Sequence, residues 1–162
     1  MTMFDQRAFR SALGCFPTGV TIVTAPNPGG DPIAMTVSSF NAVSLDPPLV
    51  LFSVKRSAFS LPVLLEASHF AVSVLRGDQT EISARFAHAQ GAKWAGLEPR
   101  FGATGCPLAS QGLATFECEP HAVHDGGDHL IIIGRVVSFE VEADGEPLIF
   151  FRGGYHSIAA RA

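Results

Sequence analysis

The chain has 162 residues, enough for one domain that buries about two-thirds of the surface its unfolded form exposes. A formal net charge of −4 at pH 7 argues against a nucleic-acid-binding protein, which normally carries a basic face. With 16 glycines and 11 prolines among 47% hydrophobic residues, the composition favours many short strands and turns over a helix bundle.

The first half of the chain predicts one helix, over residues 5–15, and three strands, over residues 20–25, 34–44 and 49–54. Phe9, Leu13 and Phe16 recur at helical spacing, which gives the predicted helix one apolar face. The last two of these strands are apolar, and a turn at Pro47 and Pro48 joins them.

The predicted strand over residues 34–44 is rich in small polar side chains, namely Thr36, Ser38, Ser39, Asn41 and Ser44. One interpretation is that they form the solvated face of an antiparallel strand, and the pattern alone favours it. The other is that they are hydrogen-bond donors that hold a phosphate without an arginine fork.

The second half predicts helices over residues 57–67 and 78–88 and strands over residues 69–75, 116–119, 137–142 and 148–151. Asp78 is the expected N-cap of the second of these helices. Alternation of apolar residues with glutamates predicts one solvated face, carrying Glu117 and Glu119, and one core face, carrying residues such as Val137 and Phe139.

The connections complete the predicted architecture. Residues 89–110 are punctuated by glycines and carry Trp94, which is expected to pack in the core or at a dimer contact. A glycine turn over residues 125–128 predicts a hairpin. Many strands with few helices favour a mostly β protein, a closed or nearly closed antiparallel barrel with flanking helices, formed by residues 1–162 as one domain.

The sequence lacks the motifs of several common types of functional site. There is no G-x-G-x-x-G after a strand, no phosphate-binding G-x-x-x-x-G-K-[ST] loop and no G-x-S-x-G elbow. Three scattered cysteines without a C-x-x-C favour reduced thiols in a cytoplasmic protein. Neither a signal peptide nor an apolar run of membrane-spanning length is present, so no membrane partner is expected.

A histidine cluster near the predicted hairpin has two interpretations. Cys118, His121, His124 and His129 are close in sequence, but alternation along a strand puts Cys118 and His124 on one face and His121 on the other, so no metal site is expected. His129 follows a glycine turn. It is either an inert turn-end histidine or a ligand contact at a place where the backbone is open to approach.

Four motifs together resemble the short-chain flavin reductase family, the reductase components of two-component flavin-dependent monooxygenases. They are residues 16–24 (FPTGVTIVT), 35–52 (MTVSSFNAVSLDPPLVLF), 127–129 (GDH) and 151–155 (FRGGY). Their order and spacing span nearly the whole chain. The resemblance implies an antiparallel split β-barrel of the FMN-binding type that acts as a homodimer, and an oxygenase component as partner.

The resemblance also implies roles for individual residues. The flavin phosphate and ribityl chain would lie along Thr36, Ser38, Ser39 and Asn41. The ring and ribityl chain would be approached by Ser53, Val54 and Ser57, and further flavin-side contacts would come from Arg85 and Phe86. The nicotinamide nucleotide would contact Gly127, Asp128 and His129, with His129 as the catalytic-site residue. It would also contact Tyr155 in the C-terminal tail.

The expected activity is NAD(P)H:flavin oxidoreduction, in which NADH or NADPH transfers a hydride to FMN or FAD and the reduced flavin leaves for a separate monooxygenase. Hydride transfer needs no acid or base from the protein, which agrees with the lack of a carboxylate pair. Two alternatives use the same fold: an electron-transfer protein that retains its flavin, and an oxidase of the pyridoxamine-phosphate type. A purely structural or interaction role is a third.

Overall fold

The structure, a computed structural model, describes residues 4–88 and 91–158. The helices of this part of the chain are α1 (Gln6–Leu13), α2 (Leu61–Glu66) and α3 (Thr80–Ala87). The strands of its first half are β1 (Thr18–Gly19), β2 (Thr21–Ala25), β3 (Ile33–Val37), β4 (Asn41–Leu45), β5 (Pro48–Lys55) and β6 (Phe70–Val74). Those of its second half are β7 (Arg100–Phe101), β8 (Pro107–Leu108), β9 (Ala114–Gly126), β10 (His129–Val141), β11 (Ile149–Phe151) and β12 (Gly154–His156).

Seven of the strands form one antiparallel sheet in the order β3-β2-β6-β9-β10-β5-β4. The two edge strands, β3 and β4, are consecutive in the chain and are joined only by residues 38–40. A link of that length spans at most about 14 Å. The sheet therefore curls until its two edges approach each other at this link, and the predicted mostly β, antiparallel class is confirmed.

The prediction of one continuous strand over residues 34–44 is wrong. The chain leaves the sheet after Val37 at one edge and re-enters it at Asn41 on the opposite edge. The adjacent Ser38 and Ser39, which interrupt the apolar–polar alternation in the sequence, lie in the link between the two strands. The break in alternation was thus the sequence signal for the end of a strand.

The predicted N-terminal helix is confirmed as α1, but its apolar face is uncovered. The Asp5 side chain caps it, accepting hydrogen bonds from the backbone N–H groups of Arg7 at 2.9 Å and Ala8 at 3.1 Å. No residue of α1 is buried, and Phe9 and Leu13 are 49% and 59% exposed. An eight-residue helix is marginal without packing, so this face is available to another surface.

The other two helices begin later than predicted. Helix α2 starts at Leu61, because Pro62 is tolerated only in the first turn of a helix. Helix α3 starts at Thr80 with Gln79 in the N-cap position. Asp78 does not cap it, since both of its carboxylate oxygens bind the Arg76 guanidinium at 3.1 and 3.0 Å.

Strands β9 and β10 form the predicted hairpin, with Gly127 in its turn at a φ of 77°. The prediction of one solvated and one buried face fails in both strands. Glu117 is only 2% exposed, whereas Val137 and Phe139 are 43% and 66% exposed. Two register shifts interrupt the pairing, between Ile133 and Gly134 and again two residues further on. A shift of one residue exchanges the faces of a strand.

Two apolar clusters hold the sheet and the helices together. The first packs α2 against the sheet, with Phe52 and Phe70 in edge-to-face contact at 5.4 Å. The second lies under α3, where the Phe86 and Trp94 rings are 5.1 Å apart. The predicted packing role of Trp94 is confirmed, and its indole N–H donates to the Pro32 carbonyl at 2.6 Å. Within the described residues, no helix is long and apolar enough to cross a bilayer.

Candidate ligand-binding site

A pocket of about 570 Å³ opens where β3 and β5 diverge, between the loop before α2 and the end of α3. Its volume is in the range of small-molecule and cofactor sites. The lining residues are Met35, Thr36, Val37, Ser38, Ser39, Ser53, Val54, Lys55, Ser57, Ala58, Phe59, Ser60, Phe86, Ala87, His88, Lys93 and His129. They include the only two lysines of the chain, five serines and a threonine, and no carboxylate.

Ser39 holds the pocket open at the split in the sheet. Strand β4 pairs with β5 only as far as Leu51, so the backbone of Ser53 has no strand partner on that side. The Ser39 hydroxyl takes the place of that strand: it accepts from the Ser53 N–H at 2.9 Å and donates to the Ser53 carbonyl at 3.3 Å. Its one proton is therefore already used within the protein.

Thr36 faces the pocket from β3 and is tied to α3 behind it. Its hydroxyl donates to the Ser83 carbonyl at 2.7 Å. The Ser83 hydroxyl in turn lies 2.8 Å from the Tyr155 hydroxyl on β12. Ser38, in the link after β3, is exposed, and its side chain makes no hydrogen bond within the described residues.

Lys93 brings a positive charge to the pocket from the loop after α3. Its ammonium donates to the carbonyls of Ala34 at 3.2 Å and Phe86 at 3.5 Å, and it forms no ion pair within the described residues. Burial lowers its pKa below the usual lysine value. A half-buried ammonium without a carboxylate partner, in a pocket without acidic residues, suits an anionic ligand.

His129 enters the pocket from the start of β10, and the hairpin turn beside it is firmly held. The His129 Nδ1 atom lies 2.7 Å from the Asp128 carboxylate, and that hydrogen bond lowers the pKa of Asp128. Arg56 fixes the turn: its Nε donates to the Gly127 carbonyl at 2.8 Å, and its guanidinium forms an ion pair with Asp125. The imidazole is thus oriented by its neighbours before any ligand binds.

The structure brings most of the predicted site residues together, with several exceptions. The predicted residues that line the pocket are Thr36, Ser38, Ser39, Ser53, Val54, Ser57, Phe86 and His129. Those that do not line it are Asn41, Arg85, Gly127, Asp128 and Tyr155.

Two of these exceptions have clear positions elsewhere. The Arg85 guanidinium points away from the pocket and donates to the Ala95 carbonyl at 3.0 Å, beside a second cavity of about 300 Å³. It therefore holds the loop that carries Lys93. Asn41 is exposed at the start of β4.

Sequence reasoning missed both lysines and His88 as pocket residues. The available signal was the scarcity of lysine: the chain has only Lys55 and Lys93, and both reach the same cavity. Nothing in the local sequence around either one shows that they converge, because they are 38 positions apart and meet through the packing of α3 on the sheet.

The cysteines lie away from this chemistry. Cys106 and Cys118 are buried, and burial raises the pKa of the Cys118 thiol to about 12, which keeps it protonated. Cys15 is exposed near α1. Across residues 4–88 and 91–158, no three histidine, cysteine or acidic side chains are grouped so that they could hold a metal ion.

Residues 13–159 match the family model of the flavin reductase like domain. This chain belongs to the flavin reductase family. FMN reductase (NADH) SmoA of Agrobacterium fabrum is 48% identical over 151 residues, which cover 93% of this chain and 85% of SmoA. HsaB of Rhodococcus jostii, the reductase subunit of a flavin-dependent monooxygenase, is 40% identical over 95% of this chain and 78% of HsaB.

A solved structure agrees in fold over nearly the full chain. NADH:FAD oxidoreductase SgcE6 of Streptomyces globisporus, in complex with NAD and FAD fragments, has a TM-score of 0.91 at 35% identity, covering 98% of this chain and 95% of that one. The family predicted from the four sequence motifs is confirmed.

Proposed function

We propose that this protein is an NAD(P)H:flavin oxidoreductase that reduces FMN or FAD and supplies the reduced flavin to a separate monooxygenase. The observation that carries the proposal is the pocket: in a flavin reductase fold, it gathers both lysines of the chain and a set of hydroxyls, and no acidic residue lines it. Its relatives include an FMN reductase (NADH) and a monooxygenase reductase subunit.

The side chains of the pocket fit a flavin nucleotide. A cavity of about 570 Å³ is large enough for a ring system with its ribityl chain. Lys93 and the exposed Ser38 hydroxyl supply donors for the phosphate. Phe59 and Phe86 supply apolar surface for the ring. Ser53 and Ser57 line the pocket on the β5 side, and the family resemblance implies that they approach the ring edge and ribityl chain.

The chemistry that a bound flavin supplies is acceptance of a hydride from NAD(P)H. The protein's own contribution is to bind and orient. His129, held by Asp128 and by the Arg56-anchored turn, positions the nicotinamide at the pocket. Lys93 and Lys55 would supply positive charge that attracts an anionic ligand to the pocket. No described side chain of the pocket is arranged as a general base with a nucleophile.

The finer features of the architecture belong to the same proposal. The short link between the edge strands supports closure of the curled sheet into a split β-barrel. We expect residues 1–162 to form one domain, located in the cytoplasm, and to act as a homodimer through exposed apolar surface such as the α1 face. The partner is an oxygenase component that takes up the reduced flavin.

The test is NADH oxidation by the purified protein, followed by absorbance with and without added FMN or FAD. We expect rapid oxidation that saturates with free flavin, because flavin acts as a diffusible substrate. The ratio of kcat/KM for FMN and FAD, and for NADH and NADPH, then assigns the preferred pair. A yellow protein that NADH reduces once, with no response to free flavin, would instead support the flavin-retaining electron carrier. Absence of both binding and oxidation would overturn the proposal.

A further inference from the structure

A chain of hydrogen bonds connects the C-terminal strand with the pocket. Tyr155 lies on β12, in a separate small sheet formed by β1, β11 and β12. Its hydroxyl is 2.8 Å from that of Ser83, and the Ser83 carbonyl accepts from Thr36 at 2.7 Å. Ser83 is completely buried and Thr36 lines the pocket, whereas Tyr155 is 39% exposed and does not line it.

The direction of the Thr36 hydrogen bond decides what Thr36 can offer to a ligand. A carbonyl has no proton, so Thr36 must be the donor to Ser83. Its oxygen then presents only lone pairs to the pocket. Phosphate oxygens and the ring carbonyls of a flavin are acceptors and cannot use them, but a ribityl hydroxyl can donate to them. The geometry thus matches Thr36 to a donor of the flavin, either a ribityl hydroxyl or the ring N3–H, and a comparison with lumiflavin, which keeps N3–H, distinguishes the two.

The Tyr155 hydroxyl is placed to hold this arrangement from behind. It is the side-chain partner of the buried Ser83 hydroxyl, and the Tyr155 ring is itself held by an edge-to-face contact with Phe150 at 5.9 Å. Without the Tyr155 hydroxyl, the Ser83 side chain loses its partner in a buried position. Helix α3, which presents the Ser83 carbonyl to Thr36, also loses its tie to β12, so that carbonyl is held less firmly.

We propose that Tyr155 is a positioning residue for the flavin site, acting through Ser83 to hold Thr36 as a hydrogen-bond acceptor for a ribityl hydroxyl. The inference rests on the proposed function of the pocket. It assigns Tyr155 to the flavin side of the site, whereas the sequence motifs suggest the nicotinamide side.

The test compares binding of FMN with binding of lumiflavin, which has the same ring but no ribityl chain, by fluorescence titration. Tyr155→Phe removes one oxygen atom and Thr36→Val removes the acceptor. Each is expected to weaken FMN binding about 3- to 10-fold. The double variant should bind FMN as tightly as whichever single variant binds it less tightly, because both changes break one chain of contacts. Lumiflavin affinity and the KM for NADH at saturating FMN should change by less than about twofold.

The control is Ser73→Ala, which removes a buried hydroxyl that pairs with Thr115 at 3.4 Å and does not line the pocket. It should leave FMN affinity unchanged. If Tyr155→Phe folds poorly, Ser83→Ala breaks the same link and should give the same selective loss. Unchanged FMN affinity, additive losses, an equal loss for lumiflavin, or a change confined to the KM for NADH would each overturn the inference. Failure of the unmodified protein to bind FMN would overturn the proposed function instead.

Discussion

Lys93 carries an electrostatic cost that a bound anion would relieve. Its ammonium is half-buried, bonded to two carbonyls, and burial lowers its pKa. Because the folded-state pKa lies below the ordinary value of 10.5, the unfolded chain binds this proton more tightly. Lys93 therefore lowers stability at neutral pH, and this penalty disappears as the pH rises through the interval between the two pKa values.

The first prediction concerns Lys93→Met, which keeps the length of the side chain and removes its charge. Affinity for FMN should fall about 10-fold or more, because a charge-assisted contact to the phosphate is lost. Affinity for riboflavin, which lacks the phosphate, should change by less than about twofold. Both are measured by fluorescence titration. The matched control is Lys55→Met, at the exposed lysine of the pocket, with a smaller loss expected. An equal loss for riboflavin would place Lys93 at the ring.

The second prediction concerns His129→Ala. The imidazole is oriented towards the pocket by Asp128, so its loss should raise the KM for NADH about 5- to 20-fold and change FMN affinity by less than about twofold. Steady-state kinetics with each substrate varied in turn measures both values. His124→Ala, an exposed histidine on β9 outside the pocket, is the control. Unchanged NADH kinetics in His129→Ala would remove this residue from the site.

The site residues that the sequence predicted and those that it missed differ in how they reach the pocket. Ser38 lies in the link between two strands, Ser53 lies within β5, and His129 begins β10, each in or next to a stretch of distinctive local sequence. Lys93 reaches the pocket through tertiary packing, because the neighbouring Trp94 packs against Phe86 and donates a hydrogen bond to the Pro32 carbonyl. A contact made between elements far apart in sequence leaves no local pattern, so residue-by-residue reasoning could not find it.

Among the secondary-structure elements, β9 depends on a buried carboxylate. Glu117 accepts hydrogen bonds from the N–H groups of Ala103 and Thr104, both at 2.8 Å, and from the Thr104 hydroxyl. Burial alone would raise the pKa of Glu117, but these hydrogen bonds outweigh it and lower the pKa. The same carboxylate fills the space that a side chain at Gly102 would need. Glu117 thus fixes the loop between β7 and β8 to the main sheet.

The third prediction follows from this loop contact. Because the folded-state pKa of Glu117 is lowered, its stabilisation is present above the ordinary carboxyl pKa and is lost as the pH falls through the folded-state value. Glu117→Gln should lower the free energy of unfolding by about 2 kcal/mol and flatten its dependence on pH as the pH falls below the ordinary carboxyl pKa of 4.5. Urea unfolding at several pH values measures this. Glu119→Gln, on the same strand and paired with Arg135 at the surface, should change little.

At the element scale, sequence periodicity located most strands but could not locate their faces. Strands β2, β5 and β6 were found because their β-branched and apolar runs are continuous. One of the register shifts of the hairpin lies beside Gly134, where a side chain would collide with the Phe70 ring, so the hairpin passes over that ring only with glycine there. Such a constraint comes from a residue 64 positions away and is invisible to a period-two pattern.

For the whole molecule, the uncovered apolar face of α1 predicts self-association. Phe9 and Leu13 on the helix, and Phe16 just after it, are 49%, 59% and 76% exposed. In a homodimer this surface would be covered, and Leu13→Asp should then shift the protein from twice the monomer mass to the monomer mass in light scattering after gel filtration. The control is Leu65→Asp, at a leucine of α2 that is 45% exposed. A dimer that persists in Leu13→Asp would place the interface elsewhere.

The three-residue link between β3 and β4 has one more consequence, for resistance to aggregation. The free edge of a sheet is a template on which a strand of another molecule can add. Here the two edges of the large sheet converge at residues 38–40, and Ser39 satisfies the backbone of Ser53 at the gap between them. An intruding strand would have to displace this link and occupy the ligand pocket. The link that creates the binding site therefore also protects this gap in the sheet from strand addition by a neighbouring molecule, and a bound ligand would strengthen that protection.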